Sequence, residues 1–599
     1  ASIPGDIYKG NWESGITFLD KARLGDQSEG PAYIVHSRAK NHFYFLPLIL
    51  GLIGLWYQYK KDKRNFFVTL LLFFMTGIAI ILYLNQPPYQ PRERDYAYAG
   101  SFYAFAIWIG IAAMWLAEVM KKLVKKPVAA SAVAGVLCLL VPIQMVSQTW
   151  NDHDRSGRHT SRDLAYNYLQ NCDKDAILVT HGDNDTFPLW YIQEVEGVRT
   201  DVRIVNTSLL GTDWYIDQMQ LQQYDSKPMK FTIKKEQYYY GCNDYVQVVD
   251  RIKGPIPASD AMDIFEDPSI TIPLTDGKDH NFIPCKHLLI PVNKENVKKY
   301  HIVAEKDYDK ILDTIELVIP EKTTSITKTD LMLLDYLAHY KWDRPIYFLG
   351  RGGDVNIGEK DYLQYDGFAY KFVPIKSKTG AEAGNIDQVN AEDLYNKAMN
   401  VYRLNSLKAP VNIDYQNLLT FNSLISIREI MTNTAKSLLA IGEKEKAVKV
   451  LDKMQEVMPE KNFPLNNSII SSINDAAVMD AITVYLECGQ KAKGIALGEK
   501  MVKETEEHIL LFSKPYHGKL ISEDNLKRNL YYLLMIADAY RQGGAAAEAK
   551  ALSDKANKYI SFFNGEPVTP DKQVSYGTTT QSAANANQPA PNVTPDTAG

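Results

Sequence analysis

At 599 residues the chain is too long for one hydrophobic core, and ordinary domain sizes divide it into about three folded units and a tail. Charged residues make up 23% and the net charge is −5, with no long basic block outside the flanks of its apolar runs, which excludes nucleic acid as the main partner. The five cysteines show no CxxC or Cys/His zinc spacing, which excludes a zinc cluster and leaves open one disulfide among Cys172, Cys242 and Cys285 in an oxidising compartment.

The chain opens ASIPGDIYKG, with neither a charged n-region nor an apolar h-region, and reads as a processed product or a fragment. Residues 1–42 are expected to be extracytoplasmic. Four apolar runs follow at 43–59, 66–84, 102–120 and 128–146, each of the ~17–25 residues that a hydrocarbon core of about 30 Å requires. None holds Asp, Lys or Arg, and Glu118 stands only at the end of the third, so residues 43–150 are predicted to form four transmembrane helices.

Their turns set an orientation. The first carries Lys60, Lys61, Lys63 and Arg64, and the third Lys121, Lys122, Lys125 and Lys126, whereas the second balances two Arg against two acids. The positive-inside bias places the first and third turns in the cytoplasm and everything after Trp150 outside it. In the second turn Pro87, Pro88 and Pro91 forbid a continuous helix and set Arg92, Glu93, Arg94 and Asp95 against the membrane surface. Two readings stay open: a solvated turn whose charges pair with each other, or an Arg that holds a lipid-linked phosphate bidentately, with Glu93 and Asp95 in support.

Residues 151–392 are expected to form an extracytoplasmic α/β domain. The segment NDHDRSGRH, 151–159, reads as a hydrated linker into it. AILVT (176–180) and DVRIVN (201–206) read as parallel strands joined by a helix that Pro188 begins, with HGDND as the loop between. KTDLMLLDYLAHYKW (328–342) and RPIYFLG (344–350) form a further helix and strand, and 221–325 is a mixed insertion. The HGDND loop lies where open α/β sheets bind ligands, so His181, Asp183, Asn184 and Asp185 are candidate ligand groups for sugar hydroxyls or a metal. The competing reading is turn formation, with Asp185 or Thr186 capping the helix. No metal or other cofactor is expected, and LGRGGD (349–354) is a lone Gly-rich turn without a P-loop.

Residues 393–562 read as a tetratricopeptide-like helical domain, from AKSLLAIGEKEKAVKVLDKMQEVMP (435–459) and its echoes around the turn glycines Gly442, Gly489 and Gly543. The tail, 563–599, is expected to be disordered.

LYLNQPPYQPRERDYAYAGSFYAFAIWIG (82–110), ILVTHGDNDTFPLWYIQEVEGVRTDVRIVN (177–206) and DLMLLDYLAHYKWDRPIYF (330–348) together resemble a bacterial family of large membrane proteins grouped with protein O-mannosyltransferases of the GT-C fold. The likeness covers nearly the whole chain except the tail. It implies the C-terminal part of a multi-pass enzyme of the bacterial inner membrane, with its large soluble region in the periplasm. Such an enzyme moves a sugar from a polyprenyl-phosphate carrier to an extracytoplasmic acceptor, Ser or Thr of exported protein. It also implies that an Arg such as Arg92 or Arg94 holds the carrier phosphate. The catalytic acid of such enzymes lies in a first outer loop that nothing in residues 1–42 matches, so no catalytic residue is assigned. The alternative from another class is a non-enzymatic membrane-anchored scaffold whose helical repeats dock an envelope partner. A metal-dependent hydrolase using His181, Asp183 and Asp185 is the third and weakest.

Overall fold

The computed structural model describes residues 12–24, 40–86, 94–157, 159–274, 277–350, 355–377, 389–408, 422–466, 472–512 and 519–564. Within them the protein is mostly helical, with several small sheets. Three described helices are long and apolar enough to cross a membrane: Lys63–Leu84, Asp95–Leu123 and Pro127–His153, of 22, 29 and 27 residues. The run expected at 43–59 forms Leu46–Lys61, a 16-residue helix.

The first turn is far tighter than its charge block suggests. A single residue, Asp62, separates the first two helices and caps the second by accepting from the Asn65 N–H. The helix Leu46–Lys61 lies along the third so closely that a Cβ on Gly54 would overlap the Trp108 carbonyl oxygen, and one on Gly51 would overlap the Phe105 ring. Small residues let membrane helices approach in this way when no hydrophobic effect drives them together. Trp108 is core: it is 1% exposed and donates through Nε1 to Gln58 Oε1 at 2.8 Å. At the lysine-rich end Tyr57 and Lys61 both donate to Glu118, at 2.6 and 3.1 Å. The fourth helix continues to His153, so the segment expected as a linker from 151 is helical in its first turn.

After the helix Thr160–Asn171 comes a five-stranded sheet made of β1 (Ile177–Thr180), β2 (Arg203–Asn206), β3 (Ile346–Phe348), β4 (Leu363–Asp366) and β5 (Ala369–Phe372), in the order β4-β5-β3-β1-β2. β3, β1 and β2 are parallel, while β5 runs antiparallel to both β3 and β4. Alternate residues of a strand face opposite ways, and here each face has its own core. Leu178, Ile204, Tyr347 and Ala369 face one core, shared with the helical array. Ile177, Val205, Ile346, Phe348 and Phe372 face the other, shared with the insertion. Burial on both faces is why the parallel strands are rich in Ile, Leu and Val, with Thr180, Arg203 and Asn206 the buried polar exceptions.

The insertion holds two three-stranded sheets, one pairing His287–Pro291 with Thr314–Val318 and Ile256–Pro257, the other pairing Tyr245–Val248 with Ser325–Thr327 and Phe282–Ile283. All five cysteines are free. Cys172 and Cys285 belong to cores on opposite faces of the sheet, which separates them by its thickness.

The helical region packs as the pairs Asn422–Ala440 with Lys444–Val457, Ser472–Glu487 with Lys491–Phe512, and Lys519–Gln542 with Ala546–Asn564. Gly442 and Gly489 take the left-handed conformation at the first two turns, φ +84° and +79°. At the third turn that residue is Gly544, not Gly543, and Gly543 is where Leu486 packs onto bare backbone. The tail from 565 and the Gly-rich segment 351–354 lie outside the described residues.

Candidate functional site

The carboxyl ends of β1 and β2 carry a buried hydroxyl and amide cluster. Thr180 and Thr186 share a hydrogen bond at 2.7 Å, and Asn206 donates through Nδ2 to Thr186 Oγ1 at 2.9 Å and to the Gly182 carbonyl at 3.3 Å. Thr186 and Asn206 are fully buried. These bonds tie the start of the following helix to the neighbouring strand, and they correct the expected boundary. The helix is Gly182–Glu194, so HGDND is its first turn rather than a loop, and Pro188 lies inside it. Asp185 and Thr186 are therefore not caps. His181 is the N-cap residue, without a side-chain cap bond. Gly182, at φ +73°, makes the sharp entry that lets the helix begin directly at the strand end.

Of the expected ligand groups, His181, Asp183 and Asn184 are exposed and Asp185 is half-buried. His181 Nδ1 lies 2.9 Å from Thr207 Oγ1, which is also within reach of the Thr180 carbonyl at 3.1 Å. Burial raises the Asp185 carboxyl above the ordinary carboxylate range, partly offset by His181. Asp183 and Asp185 both stand in the first helical turn, where the helix dipole favours negative charge. Among the described residues no group of three or more His, Cys, Asp or Glu has the arrangement to hold a metal ion. What the edge offers is hydrogen-bonding groups beside flat apolar faces: Phe187 and Trp190, one turn on, stack at 5.3 Å. Such a surface suits the hydroxyls and ring faces of a sugar. Thr207 and Asn206 were not singled out from sequence, although residues ending a parallel strand are the ones this sheet-edge rule selects.

At the membrane turn Arg92 and Glu93 lie outside the described residues. Arg94 is exposed, and Asp95, also exposed, opens the one-turn helix Asp95–Tyr98 that leads into the long apolar helix Ala99–Leu123. The same end of the bundle carries a feature that sequence reasoning passed over. Trp12–Glu13 pairs in parallel with Asn41–His42, and Glu13 accepts from Lys40 at 2.6 Å and His42 at 2.9 Å. Burial opposes ionisation of Glu13, but Lys40 and His42 together hold its carboxyl below the usual range. Asn41 donates to Asp152 at 2.7 Å and the His42 N–H to Gln148 at 3.2 Å, which seats this segment on the last turns of the helix Pro127–His153. The helices alternate in direction, so Arg94, Asp95 and the Glu13 cluster lie together at the end opposite the lysine-rich turns.

Residues 161–393 match the family described as TMEM260-associated domain 2, which covers the five-stranded sheet and the insertion. No curated protein and no solved structure matches the chain.

Proposed function

We propose that this chain works as part of a membrane glycosyltransferase that takes a sugar from a polyprenyl-phosphate donor to an extracytoplasmic acceptor, Ser or Thr of exported protein. The observation that carries the reading is the placement of Arg94 and Asp95 at the very start of a helix long and apolar enough to cross a membrane. A guanidinium at headgroup depth can grip phosphate oxygens with two parallel hydrogen bonds. The family match over 161–393 includes two of the three segments on which the resemblance rests.

In this reading Leu46–Lys61 is a fourth span. Its 16 residues rise about 24 Å, and its close packing on the third helix supports a common depth. The lysine-rich end is cytoplasmic, in a bacterial inner membrane, and the sheet domain and a tetratricopeptide-like array stand in the periplasm, where they present the acceptor. Single Arg92→Ala and Arg94→Ala replacements in the intact protein are expected to weaken donor binding and transfer at one of the two positions. The loss of a charge-assisted contact of roughly 1.5–3 kcal/mol corresponds to about a tenfold to hundredfold effect. Unchanged transfer and donor affinity in both variants would remove the phosphate role. Glycoproteomics of a deletion strain tests the activity itself, and an unaltered glycoprotein profile would favour the scaffold.

A further inference from the structure

Between the first two helix pairs of the array lies a cavity of about 390 Å³, within the ~300–1,000 Å³ typical of ligand pockets. Part of its wall is apolar: Met454, Met458, Val478 and Leu497 are each 3% exposed or less. Four charged side chains complete that wall, Arg428, Glu456, Glu460 and Lys500. Glu456 pairs with Lys408 and Glu460 with Lys500, which leaves one cation.

That cation is Arg428, 2% exposed. Nη1 donates to the Pro464 carbonyl at 2.9 Å and Asn474 Oδ1 at 2.6 Å, and Nη2 to the Phe463 carbonyl at 2.9 Å. All three acceptors are uncharged. Among the described residues no carboxylate is paired with the guanidinium at ion-pair distance. Burial draws its pKa down to about 10, against the charges of Glu504, Asp475 and the cavity's own Glu460, which act on it only through space. A buried charge without a contacting counter-ion is costly unless something supplies one.

We propose that this cavity is a binding site for a carboxylate carried on a short apolar chain, with Arg428 as its anion partner. A single negative charge suits the one cavity cation that no carboxylate contacts, whereas a phosphate dianion would add a second charge close to Glu456 and Glu460. The carboxylate lies against the guanidinium, and its chain lies along Met454 and Met458, whose flexible thioethers adapt to varied shapes. Two sources carry this chemistry, the C-terminus of a peptide ending in apolar residues and a short fatty acid. The proposal goes beyond glycosyl transfer and stands or falls separately from it.

The test is calorimetric titration of the full chain in lipid nanodiscs with N-acetyl-Leu-Leu as the free acid, the same dipeptide as its amide, and hexanoate. At least one carboxylate is expected to bind, with the free acid about tenfold or more tighter than the amide if the source is a peptide. Hexanoate binding alone assigns the site to acyl carboxylates. Binding is expected to be lost in Arg428→Gln. Because that change also removes structural hydrogen bonds, Leu497→Trp serves as a second variant that fills the cavity and leaves the guanidinium in place. No heat from either carboxylate, equal affinity for acid and amide, or binding that persists in Leu497→Trp would overturn the assignment.

Discussion

Glu359 offers a quantitative test of the physical picture of the sheet domain. It opens the one-turn helix Glu359–Tyr362 with no exposed surface, and neither carboxyl oxygen has a side-chain hydrogen-bond partner among the described residues. Burial pushes its pKa up to about 7, against the backbone N–H groups of Glu359 and Ile357 and the charge of Lys360, with the Asp330 charge adding slightly to the rise. An opened segment would release the same proton near the ordinary value of 4.5. The difference of about 2.5 units, at ~1.36 kcal/mol each, is about 3 kcal/mol. The folded state binds the proton more tightly, so the stabilisation is fully present below pH 4.5 and lost progressively as pH rises to about 7. Glu359→Gln is neutral at every pH and removes that dependence. The assay is amide hydrogen exchange of residues 355–377, wild type against variant at each pH, which cancels the intrinsic pH dependence of exchange. At pH 8 the variant's amides are expected to exchange roughly a hundredfold more slowly than wild type, and near pH 4.5 the two should agree. A wild-type to variant ratio that does not change with pH would refute the reasoning.

Three further outcomes follow from packing and pairing. Gly54→Leu places a side chain where the Trp108 backbone lies, and is expected to cost at least about 1–3 kcal/mol, read as a lower midpoint for thermal unfolding of the membrane helices in detergent. Asn206→Ala leaves the buried Thr186 hydroxyl and the Gly182 carbonyl without their donor, at about 1–3 kcal/mol, and should speed hydrogen exchange in the first turns of Gly182–Glu194 while sparing the sheet's other edge. Lys397→Met strands Asp366 and Asp393, both paired with it at 2.8–2.9 Å, and is expected to destabilise the contact between sheet and array by about 3–5 kcal/mol, measured by limited proteolysis. Adding Asp366→Leu should recover much of that loss.

The membrane helices and the parallel strands were legible because their environments impose uniform chemistry on consecutive residues. Lipid around a helix demands an apolar run, and burial on both faces of a strand does much the same for ILVT and IYF. The hairpin of β4 and β5 escaped notice because its strands, LQYD and AYKF, mix polarity. Lys371 is nevertheless buried, over the Tyr347 ring and against Asp173 at 2.5 Å, a partner far away in sequence. The start of the helix after β1 was misplaced because Pro188 suggested a first turn. A proline costs an interior hydrogen bond, and here tertiary bonds from Asn206 hold the six residues before it in helix regardless. The candidate sites were half visible for the same reason. HGDND is contiguous and could be seen, whereas Glu13 with His42 and Arg428 with Asn474 are constellations made only by folding.

The change from α/β to all-helical sequence near residue 393 is a change of secondary structure, yet the core runs straight through it. Residues from Leu164 to Ala556 form one contiguous apolar cluster, so the array covers a face of the sheet that would otherwise be bare. The joint is locked by polar groups that cannot be satisfied from one side alone. Asn171, at the end of the helix before β1, accepts at Oδ1 from the Tyr402 hydroxyl at 2.6 Å and from the Phe368 N–H at 3.3 Å. Gly367, at φ +72° in the β4–β5 turn, leaves the space in which those groups meet, since a Cβ there would come within 2.8 Å of Asn171 Oδ1. Lys397, just past the helix Ala391–Asn396, reaches back to Asp366 at the foot of the same turn. A joint with an apolar interior and buried ionic pins resists sliding, because any shift breaks charged hydrogen bonds before it frees apolar surface. The sheet edge at Asn206 and the Arg428 cavity are therefore held by a common rigid core, whatever ligands they take.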